Sequence, residues 1–288
     1  MPFPIKSSLS AVAILGLAAC GGSGGGAVSG AASAARALNY DPVFAAVSNP
    51  TIGTAVGSTG VTGVAILVNN FEDRITFESV QMRTTNAGET LIITLNGTDY
   101  TLTESPSSPG FYTDGQLIVP LNFNNGAAFD DFGSSGITGA DFGLRQGYVG
   151  VETPLEALPS GNASYVGNLT LGLIQTENQS GVDQITGTIY LNANFETGAL
   201  DGAWVLGLQT TGTQQGTISG ATQGNGIIGT ITLAPDSGYA GEVDMIGKAF
   251  GLQGNDIAGV AGGENIIEIN TGDQYIGDGI FELEQVTD

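Results

Sequence analysis

After Ala35 no segment of this chain carries a sustained apolar i, i+3, i+4 pattern. A helix needs that stripe to bury one face, so helix is minor here. What remains is strand after strand. Val64–Val68 is a short apolar run, and residues 74–82 alternate with period two. Ile75 and Phe77 are read as inward-facing there, with Val80 and Met82 joining them after a local slip. Residues 90–103 place Asn96-Gly97 between two β-rich runs, a strong hairpin signal because a type I′ turn needs positive φ at both centres. Pro106 and Pro109 close that unit. Gln116–Phe123 reads as a strand that Pro120 confines to an edge or an end. Residues 124–140 read as loop.

A second block begins near Pro159. Its strand candidates are Ala163–Leu173, Ile185–Phe195, Ala203–Gln209, Gln215–Thr222, Ile227–Leu233, Gly241–Gly251 and Asp256–Val260. Ile266–Ile269 or Ile280–Leu283 supplies the closing element. Ile185, Gly187, Ile189, Leu191 and Ala193 share one face, with Thr186, Thr188, Tyr190 and Asn192 on the other. Such a series suits an antiparallel barrel or sandwich, and eight strands leave room for side chains or one small ligand. The fold class expected is therefore all-β, with a β-rich, sandwich-like N-terminal region followed by an eight-stranded antiparallel β-barrel. A membrane-spanning barrel is disfavoured, since no outward apolar band with aromatic girdles is visible.

The first twenty residues address the compartment. Lys6 is followed by an apolar stretch from Leu9 to Ala19, too short to cross a bilayer and suited to a secretory signal. Leu17-Ala18-Ala19-Cys20 resembles the bacterial lipobox. The junction also allows an ordinary signal peptide with an incidental Cys, but this is the single Cys of the chain. The resemblance implies cleavage before Cys20 and acylation of that residue. Several acyl chains anchor a protein without any transmembrane helix. Within that resemblance an Asp after the Cys would imply retention at the inner membrane, and Gly21 permits export to the outer membrane. Residues 21–35, GGSGGGAVSGAASAA, read as a flexible tether. The expected organisation is a signal peptide over 1–19, lipidated Cys20 and tether over 20–50, an N-terminal β-rich domain over 51–150, and a barrel domain over 151–288.

Composition excludes several function classes. The chain has 288 residues, 28 acidic and 6 basic side chains, and no histidine. A net charge of −22 with no basic patch argues against nucleic acid as a partner. Without His there is no His-based triad or His proton shuttle, and few transition-metal sites. The one lysine after Lys6 is Lys248, so no phosphate loop of the GxxxxGK[ST] type occurs. No catalytic residue is expected, no cofactor and no metal site. Asp130-Asp131, residues 270–273 and Gly277-Asp278-Gly279 offer oxygen ligands in Gly-rich surroundings, yet none follows a calcium-loop pattern. They are read as solvated loops. Trp204, Tyr148, Tyr165, Tyr190, Tyr239 and Tyr275 could build a sugar or haem platform; aromatic residues in strands more often fill a core.

Within the second block, Glu152-Thr153-Pro154 and Leu158-Pro159-Ser160-Gly161-Asn162-Ala163-Ser164-Tyr165-Val166-Gly167 resemble the start of the barrel domain in transferrin-binding protein B–like lipoproteins. Residues 187–195, then Gly216-Thr217-Ile218-Ser219-Gly220 with Gly229-Thr230-Ile231, are similar to its following strands. Residues 247–260, GKAFGLQGNDIAGV, resemble its closing signature, with Phe250 as a core plug and Gly247, Gly251 and Gly254 as bends. The chain departs from the family at Ala249, where an aromatic residue is usual, and at Gly251-Leu252. The resemblance covers about residues 150–263. It implies a surface-exposed outer-membrane lipoprotein that captures a nutrient, an iron or haem source or a protein ligand, and hands it to an outer-membrane receptor. No family binding residue maps onto this chain, so the ligand-binding residues stay unknown, and transferrin itself is not carried over. The other reading is a structural or adhesive surface lipoprotein bridged by Ca²⁺.

Overall fold

A computed structural model describes residues 61–69, 74–85, 90–95, 98–113, 117–120, 126–131, 143–177, 182–206 and 212–287. Cys20, the tether and Asn96-Gly97 lie outside these residues. The described chain is built of strands, with two short 3-10 turns at Leu155–Ala157 and Pro235–Ser237. No helix among the described residues is long and apolar enough to cross a membrane.

The first eight strands are β1 (Val61–Asn69), β2 (Arg74–Thr85), β3 (Thr90–Leu95), β4 (Thr98–Ser105), β5 (Ser108–Thr113), β6 (Leu117–Pro120), β7 (Gly126–Asp131) and β8 (Gly143–Gly150). Each pairs antiparallel with the next, and β1 also pairs with β8. The region is β-rich as expected, but it is one closed barrel instead of a sandwich of two sheets. Residues 124–140 are not all loop: β7 lies within them and joins β6 to β8. Local Gly, Asn and Asp content argues for loop there, but two facing strand edges with unpaired backbone groups favour a strand between them.

The second barrel follows. Its strands are β9 (Asn162–Gln175), β10 (Val182–Asn194), β11 (Ala199–Leu206), β12 (Thr213–Gln223), β13 (Gly226–Leu233), β15 (Glu242–Phe250), β16 (Asp256–Glu268) and β17 (Gln274–Gln285). The ring closes where β17 pairs with both β16 and β9. The two-residue β14 (Tyr239–Ala240) lies outside the ring, against the end of β16. The two alternative closing elements are parts of two strands. Ile266 and Ile267 lie in β16 beyond a register shift after Gly263, and Ile280–Leu283 lies in β17.

Each barrel is filled by its own side chains. Met82, Leu91, Ile93, Leu102 and Val149 belong to the core of the first; Tyr165, Leu171, Trp204, Met245 and Phe281 belong to that of the second. A third apolar cluster lies between them. Val64, Ile66, Val68 and Phe77 on the outside of β1 and β2 pack on Ile246, Val260 and Ile276 on the outside of β15, β16 and β17. This explains the apparent slip in β2. Val80 and Met82 face the first barrel's core, while Phe77 and Ile75 face the second barrel. No residue is skipped; the outer face is covered at Ile75 and Phe77 and the inner face at Val80 and Met82, so the buried side changes along the strand while period two holds.

Candidate functional site

The contact between the barrels creates two polar features, one at each end. The first is where the described chain begins. Thr62, one residue into β1, donates its hydroxyl proton to Oε1 of Glu152. Glu152 lies in the connection between the barrels and bridges to Phe250 at the end of β15. Lys248 Nζ lies 2.6 Å from the same Oε1, and each of these two side chains is only 3% exposed. Oε2 accepts from Asn225 Nδ2 at 3.0 Å. The backbone around the pair is equally fixed: Thr153 N donates to Ala249 O and Gly251 N to Val151 O, both at 2.9 Å. One buried carboxylate therefore ties the first barrel, the connection and the second barrel together. The sequence marks Lys248 as the one lysine after Lys6 and does not mark its partner. The usable signal was a lysine in the small and apolar stretch 245–250, which must be paired if buried.

The second feature is a groove at the opposite end, with a volume of about 330 Å³. Ile75 of the first barrel forms one wall; Glu242, Asp244, Glu264 and Asn265 of the second contribute the polar lining. Glu264 Oε1 accepts from the backbone N–H of Ile75 at 2.9 Å, so this carboxylate also crosses from barrel to barrel. Beneath the groove runs a row of paired positions, Thr230–Asp244–Gly262–Asp278–Gly172. Asp244 and Asp278 are buried, and Thr230 Oγ1 donates to Asp244 Oδ1 at 3.4 Å. Gly262 lies between them because Ile66 and Ile75 reach over it: a Cβ there would meet Ile66 Cδ1 at 2.2 Å. The groove thus offers carboxylates at the rim of an apolar contact, a surface that favours cationic groups.

The other residues singled out from sequence do not converge. Asp130 and Asp131 are in β7, not in a loop. Residues 270–273 form the turn between β16 and β17, where Thr271 Oγ1 donates to Glu268 Oε2 at 2.9 Å. Asp278 is not in a solvated loop; its strand lies under the first barrel, which covers it. Among the described residues no three acidic, His or Cys side chains gather to hold a metal ion. Trp204 and Tyr165 are inside the second barrel, while Tyr148 faces Phe250 across the inter-barrel contact at 5.1 Å. Phe250 is thus part of that contact and not a plug of the barrel core. Tyr239 and Tyr275 meet edge to face at 5.7 Å, Tyr239 donating to Asp183 and Tyr275 to Glu268. Burial and those carboxylates push both phenols above their ordinary pKa. Gly251 and Gly254, at φ 84° and 67°, do supply the bends expected of them.

No family model matches this sequence, and no curated protein does. Solved structures with a similar chain path exist. The likeness is to transferrin-binding protein B. A double mutant of that protein from Haemophilus parasuis aligns at 14% identity and TM-score 0.49, over 79% of this chain and 46% of that one. The isotype 1 transferrin-binding protein B from serogroup B Neisseria meningitidis aligns at 14% identity and TM-score 0.46, over 79% of this chain and 44% of that one. The chain therefore spans less than half the length of these transferrin-binding proteins. No residue role transfers from them.

Proposed function

We propose that this chain is a lipid-anchored binding module of the outer membrane, facing the cell exterior and acting without catalysis. Cys20 is the acylated residue, residues 21–50 are the tether, and the two barrels are the body that captures a ligand. The observation that carries this reading is the placement of the groove. β1 starts beside Glu152 and runs toward Ile75, so the groove lined by Ile75, Glu242 and Glu264 lies at the far end from Val61. The groove is thus at the end of the body remote from Val61, where the described chain begins, which favours its facing away from the lipid. The lipobox resemblance supports the anchor, and the family motifs support capture of a nutrient, an iron or haem source or a protein ligand. A receptor in the same membrane would take the cargo on.

Two measurements test this. Palmitate incorporation that disappears in Cys20→Ser, with digestion of the body by protease added to intact cells, is expected. Thermal-shift titration with haem, haem proteins and iron-carrier proteins is expected to find a binder whose effect is lost in Glu264→Lys. No stabilisation in any of these classes overturns capture. The acidic surface also favours the adhesive, Ca²⁺-bridged reading, which an identical melting temperature in Ca²⁺ and in EDTA would remove.

A further inference from the structure

We infer that the buried Glu152–Lys248 pair is an orientation lock, setting the angle at which the two barrels meet. Three observations lead there. Most of the contact between the barrels is a meeting of apolar faces, Val64, Ile66 and Val68 against Ile246, Val260 and Ile276 and Tyr148 against Phe250, with two single hydrogen bonds also crossing it, Ile75 N to Glu264 and Tyr148 to Glu282. Such faces attract without direction, and ridges of Val and Ile can slide or rotate at small cost. Glu152 is different. Its carboxylate accepts from Lys248 and Thr62 at one oxygen and from Asn225 at the other. These partners come from the second barrel, the first barrel and the β12–β13 turn, and each needs its own direction.

Energetics agree with a positional role. Burying two charges costs desolvation that the attraction between them roughly offsets, so such a pair is weak support for stability. Its best-attested use is to make one arrangement much better than its neighbours. Here a rotation of one barrel on the other would leave a buried carboxylate with an unmade bond to Thr62. The pair is at the near end of the contact and the acidic groove at the far end. A small angular change at Glu152 therefore becomes a change in groove width, a consequence that rests on the capture reading above.

The test is a distance measurement on the chain with Cys20→Ser, carrying spin labels at Thr101→Cys on β4 and Thr217→Cys on β12. Both positions are exposed, one on each barrel. The parent is expected to give one narrow distance distribution. In Glu152→Met with Lys248→Met the distribution is expected to broaden at least about twofold, while the melting temperature stays within a few degrees, because charge and its desolvation leave together. Thr62→Val keeps the ion pair and removes the first barrel's hold on it. It is expected to broaden the distribution as well, and it serves if the double variant fails to fold. An unchanged distribution in both variants overturns the proposal, since the apolar faces with the Ile75–Glu264 and Tyr148–Glu282 hydrogen bonds would then set the angle. This readout needs no ligand. A lock without a binder would therefore fail the capture reading and leave the lock standing.

Discussion

The hydroxyl of Tyr148 on the first barrel donates to Oε1 of Glu282 on the second, at 2.9 Å. The ring is buried against Phe250, and the phenol's pKa is raised well above its ordinary 10, first by burial and then by the Glu282 charge. The neutral phenol is thus favoured by folding. Its contribution is complete below about pH 10 and is lost as pH rises beyond that, because the unfolded tyrosine ionises first. Tyr148→Phe is expected to cost about 1–2 kcal/mol at neutral pH, where a hydrogen bond to a carboxylate is lost. Melting curves check this. The variant should melt a few degrees lower at neutral pH, and the gap should narrow above about pH 10.

Two glycines of β16 should respond differently to the same added methyl. A Cβ on Gly259 would lie 2.1 Å from the carbonyl oxygen of Ile246 and 2.5 Å from Cα of Gly247, both backbone atoms of the paired strand. A Cβ on Gly262 would meet the far end of the Ile66 side chain, with the nearest backbone atom 3.0 Å away. A side chain can turn; a paired strand cannot. Gly259→Ala is expected to cost about 3 kcal/mol or more, and Gly262→Ala about 1–2 kcal/mol. Denaturant unfolding of the two variants reads the order, which reverses if strand β15 yields more easily than Ile66.

These glycines also show what was legible in the sequence. Strands β9 to β12 were readable because their outer face is wet, as with Ile185, Ile189 and Leu191 against Thr186 and Asn192. Strand β2 was harder to read. Its first half is covered on the outer face by the other barrel and its second half on the inner face by its own, and period two then looks like a slip. The closure of the first barrel depends on β7, whose local composition argues for a loop. The site was less legible than the fold. Glu152 and Lys248 stand 96 residues apart and meet only because both barrels close. Ile75 and Glu264 are separated by 189 residues and meet for the same reason.

Glu78 gives a pH test in the first barrel. It pairs with Ala65, on the same face of β2 as Val80 and Met82, and partial burial raises its pKa above 4.5. A carboxylate with a raised folded pKa weakens the fold where it is ionised. Stability is recovered as pH falls through the folded pKa toward the ordinary value. Glu78→Gln removes that charge and keeps the shape. It is expected to melt above the parent at neutral pH, and the two should converge near pH 4–5, where the parent is protonated. A variant that melts below the parent at neutral pH would mean that the carboxylate is held by a favourable partner.

Trp204 is fully buried in the second barrel, and its indole Nε1 has no hydrogen-bond partner. The ring edge lies over Gly187 of the neighbouring strand, where a Cβ would be 2.8 Å from Nε1. An unsatisfied buried donor costs about 1–3 kcal/mol, which offsets part of what the ring contributes by filling the barrel. Trp204→Phe removes the donor and retains most of the ring. Its net cost is expected to be about 1 kcal/mol or less, whereas Trp204→Ala empties the site and should cost about 3–5 kcal/mol. As the single tryptophan of the chain, Trp204 also reports on the second barrel alone. In the parent, its fluorescence is expected to change in one transition coincident with the loss of far-ultraviolet circular dichroism, because the first barrel is packed on the second through Ile66, Phe77 and Val260. Two separated transitions would show that the barrels unfold independently and that the aliphatic contact between them is weak.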